Sequence, residues 1–278
     1  MIPPVANRFV AGETAAEAIE YAQRCDEEGV GVLLNRLGEH YREPGPAAAD
    51  TDRYVRLVGD LLGTDLDACV SVKPSQLGLR VGEPTFEANL DRVLSHAVPA
   101  GVFVWLDMED HETTDATLDA YERFAREHGG GVGVCVQANL RRTRDDLERL
   151  ADLPGKVRLV KGAYDEPADV AYRRKDEVNR AYEADLEFMF EAFDDGVAVG
   201  SHDPEMIRLA RDLHDEHGTP FEFQMLMGVR EDAQRELAAD YDVYRYVPYG
   251  PNWLAYFSRR VAERKENALF ALRAILGR

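Results

Sequence analysis

The sequence predicts an α/β protein whose strands close into a (β/α)8 barrel. Two observations lead there. Eight short apolar runs alternate with segments of helical periodicity, and no linker, low-complexity segment or short internal repeat interrupts them. Polar or charged residues also stand at the C-terminal ends of those runs, where a barrel of this kind gathers its functional groups.

Residues 12–28 read as a helix, with Thr14 as N-cap, Ala15, Ala18, Ile19 and Ala22 on one face, and Gly29 ending it. It precedes the first strand and so is extra to the repeat. Val30–Leu34 is a strand leading into Asn35–His40. Pro44–Pro46 reads as a loop ahead of a helix over Asp50–Leu62. Ala68–Val72 is a strand ending in Lys73-Pro74-Ser75, followed by a helix over Thr85–His96. Val102–Leu106 is a strand ending in Asp107-Met108-Glu109-Asp110-His111, and Thr114–His128 is its helix. Val132–Val136 ends at Gln137 and is followed by a helix over Thr143–Leu150. Lys156–Val160 is the fifth strand, with a long helix over Asp169–Phe193. Val197–Gly200 ends in Ser201-His202-Asp203, and Pro204, in the first turn, opens a helix to Glu216. Phe221–Leu226, a helix over Arg230–Ala239, the strand Val243–Val247 and a final helix over Asn252–Leu276 complete the chain.

A doubly wound open sheet is the alternative. It needs fewer strands and a nucleotide loop after the first. Gly129-Gly130-Gly131-Val132-Gly133 precedes a strand instead, so it reads as a turn. The expected fold is therefore one domain over residues 1–278, a TIM-type barrel with an extra N-terminal helix.

Composition narrows the functional classes. With 52 acidic against 33 basic residues the formal charge is −19, and only five of the bases are lysine (Lys73, Lys156, Lys161, Lys175, Lys265). An acid-rich, lysine-poor surface fits a chain adapted to high salt, as in a halophile. It argues against nucleic acid, or an anionic membrane bound through a broad surface, as a partner. Cys25, Cys69 and Cys135 are odd in number and widely spaced, as expected of core thiols in a reducing compartment. Neither a signal-peptide pattern at the N-terminus nor an apolar run of membrane-spanning length is present, so the expected location is the cytoplasm, with at most peripheral membrane contact.

The strand ends carry Glu39, Lys73, Asp107, Gln137, Lys161, His202, Gln224 or Leu226, and Tyr246. A chain that has nearly abandoned lysine keeps it at two of these places, which points to a ligand role for Lys73 and Lys161; the bland reading is a solvated strand end. Val157–Tyr164 places two cations, Arg158 and Lys161, in one apolar run. They are expensive to bury unless something anionic meets them, the alternative being an edge strand open to solvent. On the last helix, Trp253, Tyr256, Arg259, Arg260 and Glu263 share a face. Aromatics beside a double arginine suit a small ligand with a carboxylate and an apolar body; the alternative is a surface helix whose arginines pair with Glu263 and Glu266. Asp107–His111 and His202-Asp203 lack a metal-ligand spacing, so no metal site is expected.

Val-Arg-Leu-Val-Lys-Gly-Ala-Tyr at 157–164 resembles the signature of the FAD-dependent proline dehydrogenases. So do, in the family's order, Ser71–Ser75, Leu106–His111, Ser201–Asp203, Phe221–Leu226, Tyr246–Gly250 and Tyr256–Glu263. The resemblance runs from about Arg8 to the C-terminus and looks like the monofunctional form. It implies a distorted barrel holding FAD that oxidises L-proline to Δ1-pyrroline-5-carboxylate and passes electrons to a quinone or other acceptor, with a pyrroline-5-carboxylate dehydrogenase as a docking partner. It further implies that Arg158 lies near flavin N5 and that Gln137, Lys161, Gly162, Ala163, His202 and Gln224 line the FAD. Lys73, Arg259 and Arg260 are to hold the substrate carboxylate, with Leu226, Tyr246 and Tyr256 on the proline ring, Asp107 beneath, and Glu39 pairing with Arg259 as a gate. Asp165, Asn139, Met227 and Gly200-Ser201 depart from the family's usual residues, mostly at the cofactor's periphery. A Schiff-base lyase using Lys161 and a non-enzymatic binding module are the alternatives from other classes.

These roles predict that Arg259→Met raises the KM for proline strongly and leaves the bound-flavin spectrum intact. Removing one charged partner of a carboxylate costs about 2–5 kcal/mol. Steady-state kinetics with proline read the effect, and an unchanged KM removes Arg259 from carboxylate binding.

Overall fold

Strands in a closed barrel are buried on both faces; here the outer face is largely apolar, and the inner face mixes apolar residues with Ser71, Arg158, Glu222 and Gln224. The computed structural model describes residues 2–3 and 6–263, with side chains through 258 at the C-terminal end. Its eight strands form a closed parallel barrel in chain order: β1 (Gly31–Arg36), β2 (Ala68–Val72), β3 (Val104–Leu106), β4 (Val132–Gln137), β5 (Lys156–Val160), β6 (Val197–Gly200), β7 (Phe221–Leu226) and β8 (Asp242–Tyr249). The ring closes where β1 pairs with β8 from Gly31 against Tyr244 to Arg36 against Tyr249. The expected (β/α)8 fold is thus what the chain adopts.

Successive strand residues point to opposite sides, and the two sides differ in kind. Val32, Leu34, Val70, Val72, Val104, Leu106, Leu159 and Val199 belong to the main core shared with the helices. Leu33, Cys69, Trp105 and Ala198 form a second cluster, with Phe103, Tyr244 and Tyr246 packed against it. Glycines make room for the large rings there: a Cβ on Gly133 would stand 2.7 Å from the Trp105 ring, and one on Gly31 2.6 Å from the Tyr244 ring.

The helices are α1 (Ala15–Asp26), α2 (Pro44–Leu61), α3 (Glu83–Ala97), α4 (Thr114–His128), α5 (Thr143–Leu150), α6 (Lys175–Ala192), α7 (Pro204–His217), α8 (Glu231–Leu237) and α9 (Trp253–Glu263). Thr14 caps α1 as expected, in a reciprocal box with Glu17. Helix α1 packs on β1 and β8. Buried Arg245 of β8 fastens it there, donating to Tyr21 Oη (3.1 Å), Glu28 Oε2 (3.0 Å) and, from α8, Gln234 Oε1 (2.7 Å). The leading helix therefore covers the β8–β1 seam. Helix α9 packs elsewhere: Phe257, with Trp253 and Tyr256 against it, joins Ile2, Ala6, Phe9, Val10 and Leu37 in a separate cluster.

Most element ends lie within about three residues of expectation, the usual scatter at helix and strand ends, and two helix starts differ by more. Pro44–Pro46 is the first turn of α2, not a loop. The N–H groups of a first turn have no partner within the helix, so proline costs nothing there. The long helix begins at Lys175 instead of Asp169. Residues 164–174 form an irregular crossing tied to the β4–α5 loop, where Leu140 bridges Ala171 and Tyr172 N donates to Asn139 O at 2.7 Å. The expected helical stretch beyond Glu263 lies outside the described residues.

At the entry to β6, Gly196 has φ +76°, and a Cβ on it would lie 2.4 Å from the Gly155 carbonyl oxygen. Gly196→Ala should therefore cost about 2–3 kcal/mol of stability, since both conformation and contact are backbone-limited. Urea unfolding followed by circular dichroism measures it; a midpoint equal to wild type contradicts this geometry.

Candidate active site

A cavity of about 480 Å³ opens at the C-terminal end of the barrel. Its floor is built on a buried carboxylate. Asp107 follows β3, and the strand pairing places it between the C-terminal parts of β2 and β4. Asp107 Oδ1 accepts from Ser71 Oγ (2.7 Å) and from Arg158 Nη2 (2.6 Å). Oδ2 accepts from Tyr246 Oη at 2.7 Å and lies 3.6 Å from Lys73 Nζ. Burial by itself would push this carboxyl up. Arg158 first, then Lys73, Ser71 and Tyr246 outweigh it and hold Asp107 below the ordinary value of 3.8. The Tyr246 hydroxyl is driven the other way, by burial and then by Asp107, to well above 10.

Arg158 is pinned on three sides. Besides Asp107, its Nη1 donates to Gln224 Oε1 at 2.8 Å, and its guanidinium carbon stands 5.2 Å from the centre of the Trp105 ring. Lys73 Nζ donates to Asn35 Oδ1 (3.2 Å) and to Tyr246 Oη (3.5 Å). Lys161 is held separately, donating to Asn179 Oδ1 of α6 and to Asp203 Oδ2, each at 2.7 Å. That contact outweighs the burial of Asp203 and lowers its carboxyl below the ordinary range. The Leu226 amide donates to His202 Nε2 at 2.9 Å, so the neutral ring carries its proton on Nδ1.

Behind Lys161 the backbone approaches closely. Gly162 has φ +104°, and its missing Cβ would lie 2.1 Å from Asn139 Oδ1. That buried oxygen has no hydrogen-bond partner among the described residues.

Residues 18–273 match the family model of proline dehydrogenase. This chain belongs to the proline dehydrogenase family. It is 38% identical to the proline dehydrogenase of Deinococcus radiodurans over 280 aligned positions, which cover 98% of this chain and 90% of that one. It is 34% identical to proline dehydrogenase 1 of Bacillus subtilis strain 168, again over 98% of this chain and 90% of that one. The barrel superposes with a TM-score of 0.85 on proline utilization A from Bdellovibrio bacteriovorus inactivated by N-propargylglycine, at 24% identity. That alignment covers 93% of this chain and 32% of the much longer one, and it speaks for the fold alone.

Within this proline dehydrogenase barrel, the cleft is lined by Glu39, Lys73, Asp107, Arg158, Lys161, Gly162, Ala163, His202, Gln224, Leu226, Tyr246 and Tyr256. Twelve of the residues that the sequence singles out thus meet in one place. Gln137 does not line it: its side chain is buried and donates to the Glu109 carbonyl at 2.8 Å. The side chains of Arg259 and Arg260 lie outside the described residues. Ser71, Asn35, Asp203 and Asn179 hold the charged groups, a role that the sequence reading does not assign to them. Ser71 was open to discovery, because it stands two positions before Lys73 and so faces the same side of its strand. Asn179 belongs to a helix, and no strand rule could point to it.

Asp107→Asn should lower stability by about 3 kcal/mol at neutral pH, since it leaves buried cations short of a counter-charge. A carboxylate lowered by folding stabilises the native state fully above its unfolded value of 3.8, and that contribution fades as pH falls through the folded value. The gap between wild type and variant, from urea unfolding at a series of pH values, should therefore be constant from about pH 5 to 8 and narrow below about pH 4. A gap independent of pH down to about 3 contradicts the ionised state of Asp107.

Proposed function

We propose that this proline dehydrogenase oxidises L-proline to Δ1-pyrroline-5-carboxylate with FAD held in the barrel-mouth cleft. The observation that carries this is the buried group of Arg158, Lys73 and Tyr246 around Asp107 in the floor of the cavity at the barrel mouth. The absence of a side chain at Gly162, which lines the cleft, fits the close approach of a cofactor to the backbone there. Arg158, Lys161, Gly162, Ala163, His202 and Gln224 would hold FAD, with Gln137 behind them. When bound, FAD supplies the acceptor for the hydrogen and electron pair leaving C5 of proline.

The chain's own groups do the rest. Lys73 offers its ammonium group to the substrate carboxylate, and Arg259 and Arg260 of α9 complete the clamp. Leu226, Tyr246 and Tyr256 wall in the apolar ring and exclude water. Asp107 does not act as a base: it is held ionised by four partners and serves to fix Arg158, Lys73 and the Tyr246 hydroxyl in place. Arg158 places positive charge where electron density gathers during the reaction. Glu39, in the cleft lining, pairs with Arg259 when proline is absent and gates entry.

Electrons pass on to a quinone. Among the described residues no helix is long and apolar enough to cross a membrane, so the proposed quinone encounter is peripheral, at the inner face of the membrane. A pyrroline-5-carboxylate dehydrogenase takes the product. The lyase alternative fits the geometry poorly, because Lys161 Nζ is tied to a carboxylate and an amide oxygen, a weak position for a Schiff-base nucleophile.

Purified protein should carry flavin absorbance that bleaches on anaerobic addition of L-proline and returns with a soluble quinone. A colourless protein that borohydride traps covalently with a carbonyl substrate would favour the lyase instead.

A further inference from the structure

A second buried carboxylate lies deeper in the barrel, below the cleft, and nothing above gives it a task. Glu222 of β7 faces the barrel interior two residues before Gln224 and is 4% exposed. Its Oε1 accepts from Gln224 Nε2 at 2.6 Å, and its Oε2 pairs with Lys156 Nζ. Lys156 in turn stands over the Phe103 ring, 5.3 Å from its centre, and 5.9 Å from that of Tyr244. A charged chain therefore runs along the barrel: Lys156, Glu222, Gln224, Arg158, Asp107, Lys73.

Gln224 is the member that matters. Its amide has one accepting end and one donating end, and either could face up. An ionised carboxylate only accepts, and a guanidinium only donates. Glu222 below thus dictates that Nε2 points down, and Oε1 must then point up at Arg158. An apolar residue at 222 would pack the same space without the cost of a buried ion pair, but it would leave Nε2 without its acceptor and the amide held at the Arg158 end alone. We propose that Glu222 is a positioning residue for Arg158, acting through the orientation of the Gln224 amide, and so tunes the cation that faces the cofactor. This rests on the reading that Arg158 serves bound FAD.

The test uses holoenzyme of wild type, Glu222→Ala, Gln224→Ala and the double variant. The limiting rate of anaerobic flavin reduction by proline, the KM, the reduction potential of the bound flavin and the melting temperature are measured for each. Glu222→Ala should lower the limiting rate about tenfold, the value of one hydrogen bond to a charged group. The potential should fall with it, because a loosened cation favours the electron-rich cofactor less, while KM changes by less than about twofold. In the Gln224→Ala background, Glu222→Ala should add nothing further. Should Glu222→Ala not fold, Glu222→Gln keeps the volume but can present either end of its own amide, and a smaller fall of the same sign is expected.

A melting temperature that drops while rate and potential stay at wild-type values overturns the positioning role, as does full additivity with Gln224→Ala. A wild-type protein that binds no flavin overturns the functional reading itself, a result distinguishable from either.

Discussion

A carboxylate buried between two cations sets the terms for this barrel. Asp107 is shielded from water, yet its oxygens are claimed by Arg158, Lys73, Ser71 and Tyr246. These four partners come from β5, from the end of β2, from β2 itself and from β8. The carboxylate therefore joins distant parts of the ring across the barrel axis, where apolar contacts alone would not choose one register. Any slip of β5 or β8 by one residue would swing Arg158 or Tyr246 to the outside and strand the charge.

The same constraint explains why the helices are arranged as they are. A charged floor is useful only if the mouth above it stays open to a ligand and can be roofed by groups that recognise one. Helix α1 covers the β8–β1 seam, fastened there by Arg245. Helix α9 is thereby released from the outer wall. It packs on the N-terminal segment and on Leu37, just past β1, and brings Tyr256 into the cleft lining. The extra N-terminal helix is thus what allows the last helix to serve the site.

Much of this was legible in the chain itself. Short apolar runs between turns announce themselves as strands, and β2, β5, β6 and β7 have the bounds that their composition predicts. Reading only the strand ends brought out Lys73, Asp107, Lys161, His202, Leu226 and Tyr246, because barrel geometry gathers those positions whatever the side chains are. What was hidden depended on contacts between residues far apart in sequence. The Asp203 and Asn179 oxygens that hold Lys161 come from a loop and a helix, and no periodicity links them. The 164–174 crossing has no periodicity at all, so its polar residues were absorbed into the helix that follows. Pro44 was hidden for the opposite reason: proline signals a loop in general and a helix start only in company, and the company here lies downstream.

The cations of the cleft are not all matched one to one. Lys161 is matched by Asp203, one cation to one carboxylate. Arg158 and Lys73 share the single carboxylate of Asp107, two cations to one carboxylate, while Glu39 and Asp165 stand elsewhere in the same lining. In a chain of formal charge −19, such a spot is unusual, and the low dielectric of the barrel mouth makes it felt at short range more than it would be on the surface. On the reading proposed above, the substrate carboxylate meets Lys73 at this unevenly shared group, and Glu39 in the cleft lining offers a carboxylate to the same region when the substrate is away. The substrate and the gate then compete for the same cations, so that binding one releases the other.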